Sequence, residues 1–177
     1  MYRRDGGVCL IEITLRELKQ LFNTLDPAPF HEKDLDPAAE EYIVSAVREL
    51  GAAPTRLVLR LPSGTTDDEA CGAVVAIRNY FAGRSRHARG QLRLLLVRGS
   101  ISLLIGLTFL AVCLSVRQLL LANVEPGDAI LSEGLLILGW VAMWKPVEIF
   151  LYDWWPDLDR RRLFERIAHI QIETLHA

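Results

Sequence analysis

Two ionisable side chains interrupt the most apolar part of the chain. Lys145 and Glu148 stand three residues apart in GWVAMWKPVEIFLYDWWP, a spacing that puts both on one face of a helix and lets them pair. Pro146 between them removes a backbone N–H and invites a kink. Such a pair has two readings. It is an internal ion pair on a lysine that snorkels to a membrane surface among tryptophans, or it faces a pore or a partner, as intramembrane charges usually do.

The other stretch that could do chemistry is acidic: His31, Glu32, Asp34, Asp36, Glu40 and Glu41. A metal or acid–base site can be drawn from it, but it lacks HExxH or any similar spacing. Asp36, Glu40 and Glu41 already have a structural use at the start of a helix. Cys9, Cys71 and Cys113 are too far apart in sequence for a zinc site or a redox CxxC motif, and Cys71 and Cys113 read as buried free thiols. No phosphate loop, GxSxG, GxGxxG or Cys/His pairing is present. These residues make no case for an enzyme, a metal or a cofactor.

The elements that must position Lys145 and Glu148 are two long apolar runs. Gly99–Val116 (GSISLLIGLTFLAVCLSV) contains no charge and is bracketed by Arg98 and Arg117. As a helix rising about 1.5 Å per residue, it covers most of a ~30 Å hydrocarbon core. A second span follows over 129–152, and Lys145 lies roughly 24 Å along it, near its far boundary. The pair reads as a transmembrane hairpin. Ser102 and Gly106 form a small-xxx-small pair that would let helices approach closely.

Charge sets the orientation. Arg84, Arg86, Arg89, Arg93 and Arg98 lie between Gly83 and Arg98 with no acid among them, and Arg160, Arg161 and Arg162 follow the second span. The loop between the spans carries Glu125 and Asp128 and no basic residue. By the positive-inside rule both termini are cytoplasmic. The same arginines are candidate contacts for anionic lipid headgroups, and Trp154 and Trp155 are candidate interfacial anchors.

The chain has 177 residues, 51% hydrophobic and 24% charged, with a net charge of −2. Mean hydropathy is above zero, yet the charge content is too high for a chain lying wholly in a membrane. A near-neutral charge and few aromatics among the arginines argue against nucleic acid as the main partner. Only three of the basic residues are lysines, Lys19, Lys33 and Lys145, a composition of the GC-rich bacterial kind. Met1–Gly7 is charged and Val8–Ile13 is short, so no cleavable signal peptide is expected here.

The remainder reads as a small α/β domain. Val8–Thr14 is a strand whose apolar residues do not alternate cleanly, and Leu15–Phe22 is a short helix. Two Leu-Asp-Pro triplets follow, the second starting a helix with Asp36 as N-cap and Pro37 at its first position, stopped by Gly51. Arg56–Leu61 is a second strand. A further helix opens at Thr66 with Ala70, Val74, Val75, Ile77, Tyr80 and Phe81 at helical spacing. With no proline before Pro126 it can run on to Leu121, a rigid stalk of about 80 Å. Pro156 ends the second span, Asp157–Ala168 is a short helix, and His169–Thr174 has the period-two pattern of a strand returning to the sheet.

LDPAPFHEKDLDPAAEEYIVSAVREL and GWVAMWKPVEIFLYDWWPDLDRRRLFERIA resemble segments of a family of small two-span bacterial membrane proteins. That resemblance implies a bacterial inner-membrane protein and assigns no activity and no functional residue.

The expectation is therefore an α+β membrane protein: a two-helix transmembrane hairpin with a small cytoplasmic α/β domain of βαβα order plus a C-terminal return. Residues 1–90 form the domain and the start of the stalk, 91–122 the first span, 123–128 an external loop, 129–152 the second span and 153–177 the cytoplasmic tail. The expected role is a homo-oligomeric anchor or scaffold in contact with membrane lipids and a cytoplasmic protein partner. A channel or transporter component using Lys145 and Glu148 is the alternative, and a membrane-bound enzyme built around His31 a more remote one.

Overall fold

The computed structural model describes residues 2–29, 33–122 and 128–176. His31 and Glu32 of the acidic stretch, and the inter-span loop 123–127, lie outside the described residues. The elements run β1 (Arg3–Asp5), β2 (Val8–Thr14), a 3-10 turn (Leu18–Leu21), α1 (Pro37–Leu50), β3 (Thr55–Leu61), α2 (Asp67–Ala122), α3 (Asp128–Glu148), a π turn (Ile149–Asp153), α4 (Trp154–Ala168) and β4 (Gln171–His176). They divide into two compact units, Met1–Ala88 with Asp159–Ala177, and Arg89–Leu158.

The first unit is an α/β layer pair. Its sheet has the order β1-β2-β3-β4, antiparallel between β1 and β2 and parallel thereafter. β1 is too short and too charged (Arg3, Arg4, Asp5) to show in a hydropathy pattern. It exists because Gly6 and Gly7 take positive φ and fold it back on β2. Alternation in β2 and β3 turns Ile11, Leu57, Leu59 and Leu61 to one face. There they pack with Ile43 and Val47 of α1, Ile77 and Phe81 of α2, and Phe164 and Ile167 of α4. The opposite face carries ion pairs, Glu12 with Arg60 at 2.9 Å and Arg56 with Glu173 at 2.9 Å.

Several helix features follow from local chemistry. Both Asp-Pro-Ala sequences make the same turn: Asp26 Oδ1 accepts from Ala28 N–H, and Asp36 Oδ1 from Ala38 N–H, each at 2.9 Å. Only the second becomes a helix, because Pro29 steers Ala28 away from helical dihedrals whereas Ala39 does not constrain Ala38. Thr66 and Glu69 cap α2 reciprocally, side chain to backbone in both directions. Along the start of α2 the buried stripe is Ala70, Ala73, Ala76, Ile77 and Phe81, while Val75 is exposed. These alanines belong to the core cluster, and Cys71, off that stripe, is exposed rather than buried.

Two boundaries differ from the sequence-based expectation. The Leu15–Phe22 helix contracts to the 3-10 turn at Leu18–Leu21. Pro156 does not stop the second long helix, which continues into α4. The π turn just ahead widens the backbone at Tyr152, the residue whose carbonyl the proline ring would otherwise crowd. β4 begins two residues later than the pattern placed it and pairs in parallel with β3, Leu57 opposite Ile172. Arg166 of α4 donates to Ala53 O and Thr55 Oγ1, fastening the end of α4 to the start of β3.

Asp26 also ties down the loop before α1. Its Oδ2 accepts from Asp34 N–H at 2.7 Å. The N–H groups of Asp34 and then Ala28 hold its carboxyl below the ordinary aspartate value of 3.8. The carboxylate therefore stabilises the fold fully above that value and loses its contribution as pH falls through the lower folded one. Asp26→Asn, which turns an amide N–H₂ toward one of the two donors, is expected to lower the thermal midpoint of the full-length protein at neutral pH. Calorimetry should show the gap to wild type closing only in acid below 3.8; a gap independent of pH would contradict this role.

Candidate functional site

The expected charged pair is formed. Lys145 Nζ donates to Glu148 Oε2 at 3.0 Å. A third group joins it: Asp153 Oδ2 lies 3.7 Å from the same nitrogen. Asp153 is eight residues on, which in an uninterrupted α-helix falls well off the face of Lys145. The π turn at Ile149–Asp153 absorbs one residue, so Asp153 takes the angular place that a seventh residue would occupy. Spacing alone cannot find such a member, because the ladder shift that rotates it into place leaves no mark in the sequence. The indole N–H of Trp154 donates to Phe150 O at 2.8 Å, adding a donor where the ladder is displaced.

Helix-to-helix contact within Arg89–Leu158 rests on glycines. Gly99, Gly106 and Cys113 are buried at intervals of seven on α2, and Gly139 and Pro146 at the same interval on α3. This period marks a packed helix seam. A Cβ placed on Gly106 would lie 3.1 Å from Ala142 O and 3.1 Å from Met143 Sδ. One on Gly99 would lie 2.7 Å from Ile149 Cγ2, and one on Gly139 2.6 Å from Leu110 Cδ1. Ala142 is four residues before Pro146, so its carbonyl is the one that loses its helical donor. It approaches the hydrogen that Gly106 carries in place of a side chain, a weak contact common at helix interfaces. Of the expected Ser102–Gly106 pair, Gly106 is at the seam and Ser102 is half-buried beside it. Gly99 and Gly139 are additional members that only the register identifies.

This antiparallel register also fixes the level of Lys145 along α2. It sets Lys145 level with about Leu103, some five residues or roughly 7 Å inward from Arg98. A helical side chain leans toward its own N-terminus by default, but the Lys145 ammonium reaches toward the C-terminus, to Glu148 and Asp153. That is the direction of the Arg98 end. Trp144, Tyr152 and Trp155 are exposed, and the Trp154 and Trp155 rings meet at a tilt of 47° with centroids 5.4 Å apart.

The arginines divide by environment. Arg84 is committed within the α/β unit: it donates to Glu40 through Nε at 2.9 Å, pairs with it through Nη2 at 2.7 Å, and lies over the Phe164 ring at 5.4 Å. Tyr80 donates to the other Glu40 oxygen at 2.6 Å. Burial, and then that hydrogen bond, push its ionisation above the usual range. Glu40 thus serves structure, as does Asp36 in capping α1. Arg161 lies 3.8 Å from Glu165. Arg86, Arg89, Arg93, Arg98, Arg160 and Arg162 are exposed. Among the described residues, no three His, Cys, Asp or Glu side chains gather as metal ligands would.

Comparison of the chain with family models, with curated proteins and with solved structures gives no match.

The glycine seam makes opposite demands at different positions. Gly106→Leu forces a side chain against the backbone of Ala142 and should lower the thermal midpoint of the detergent-solubilised protein by several degrees. Gly90→Ala meets nothing within 4 Å and should be neutral or stabilising by up to about 1 kcal/mol through helix propensity. Equal effects of the two, read by fluorescence-detected size exclusion after heating, would rule out the seam.

Proposed function

We propose that this chain is an integral membrane protein of a bacterial inner membrane. In this reading α2 and α3 cross the bilayer as an antiparallel hairpin, and the α/β unit is held on the cytoplasmic side as a homo-oligomeric anchor or scaffold for a protein partner. The observation that carries the reading is the outward surface of the two helices. Both are long and apolar enough to cross a membrane, and only 17% of either apolar window is buried. Leu104, Ile105, Ile137, Trp140 and Trp144 all point away from protein. A bare apolar surface of that extent is stable in hydrocarbon and a liability in water.

The sheet supports the paired crossing independently of charge. β4, which follows both long helices, hydrogen-bonds to β3, which precedes them. Whatever α2 crosses, α3 must recross. The arginine excess near both helix ends supports a cytoplasmic side for those ends in this reading. The direction of Lys145 agrees, since a lysine about 7 Å inside the Arg98 level would extend toward the nearer aqueous boundary.

Satisfaction of Lys145 within its own chain favours an anchor over a conducting path. The protein is expected to stay in the membrane through alkaline carbonate and to require detergent for release. In nanodiscs, native mass spectrometry should find two or more copies, with Lys145→Leu assembling as wild type and neither form conducting ions in planar bilayers. Release by carbonate would refute the membrane reading. A conductance whose selectivity changes in Lys145→Glu would replace the anchor with a channel lined by Lys145 and Glu148.

A further inference from the structure

Because β2 and β3 are parallel, their carboxyl ends lie side by side, with Thr14 opposite Arg60. The chain leaves β2 into the turn at Leu18–Leu21 and leaves β3 through Pro62–Thr65. A crevice of about 640 Å³ opens between these two exits. Carboxyl ends of parallel strands are where α/β sheets collect ligands, and the volume is within the ~300–1,000 Å³ of small-molecule sites.

The lining has two chemical parts. Leu18, Phe22 and Pro62 supply apolar surface; Arg16, Lys19 and Lys33 supply positive charge. None of these three cations makes an ion pair within 4 Å among the described residues, and Lys33 feels the Asp26 carboxylate at longer range. The acids on the lining are Glu17 and Glu69. Glu69 is already engaged, accepting from Thr66 N–H at 3.0 Å in the α2 cap. That cap, with Asp67 and Asp68 beside it, closes the helix end to an incoming anion. Negative charge in the crevice would therefore be met by the side chains of Arg16, Lys19 and Lys33.

We propose that this crevice is a binding site for a small organic phosphate of about mononucleotide size. Its ring packs on Leu18, Phe22 and Pro62, and its phosphate faces Arg16, Lys19 and Lys33. Phosphate is the fitting anion because three cations lining one crevice match a multiply charged group better than a single carboxylate. The site lies wholly inside the α/β unit, so it stands whether or not the membrane reading does.

The test uses full-length protein in phosphatidylcholine nanodiscs, titrated with N-methylanthraniloyl-ADP and followed by fluorescence anisotropy. Saturable binding is expected with a dissociation constant below ~100 μM. The double variant Lys19→Ala/Lys33→Ala, both on the rim, should weaken it by about tenfold or more. Thr24→Trp, an exposed lining position, should abolish it by filling the crevice, and Arg48→Ala on α1 should leave it unchanged. Absence of saturable binding up to ~1 mM, or binding that neither the double variant nor Thr24→Trp alters, would overturn the proposal.

Discussion

An α-helix can leave apolar side chains bare, but a backbone group that loses its ladder partner must be met some other way, and that constraint organises the Arg89–Leu158 unit. Pro146 deprives the carbonyl of Ala142 of its helical donor, and the π turn three residues later displaces the ladder again. Each disturbance is met locally. Gly106 lets α2 come up against the Ala142 carbonyl, and the Trp154 indole donates into the displaced turn. Any side chain at 106 would press on that carbonyl and force the helices to give. The seam and the kinked segment are one feature seen from two sides.

The same backbone displacement assembles the charged cluster. The π turn rotates Asp153 under Lys145, so a single ammonium is shared by two carboxylates on one helix. The charge of Lys145 is thus met within its own chain. The α/β unit has a different economy. Its sheet is apolar on the helix side and cross-linked by ion pairs on the other, and Arg84 and Arg166 bind the helices to each other and to β3.

Much of this was legible in residue types. Asp36–Pro37 marks the start of α1, Thr66 with Glu69 that of α2, and the apolar runs mark both long helices, because each signal is local. What was hidden depends on partners distant in sequence or on small backbone shifts. β1 is charged and only three residues long; it is visible only once β2 lies beside it. Asp153 requires the π turn. Gly99 and Gly139 resemble any tolerated helix glycine until the register sets Ile149 and Leu110 against them. By hydropathy alone Val75 is a better core candidate than Ala73 or Ala76. The helix instead turns Ala73 and Ala76 into the core and leaves Val75 exposed. The basic crevice draws on Arg16, Lys19 and Lys33 from one side of the sheet ends and Pro62–Thr65 from the other, which no linear motif unites.

The central claim is that α2 and α3 cross the membrane and return. Its most direct measurement is labelling with a membrane-impermeant maleimide in intact spheroplasts and in inverted vesicles. Cys71 is exposed on the α/β unit while Cys9 and Cys113 are buried, so the wild-type chain already carries one accessible reporter, and Glu125→Cys supplies a second. Labelling of Cys71 only in inverted vesicles, and of Glu125→Cys only in spheroplasts, is the expected result. Labelling of both positions from the same side would contradict the crossing.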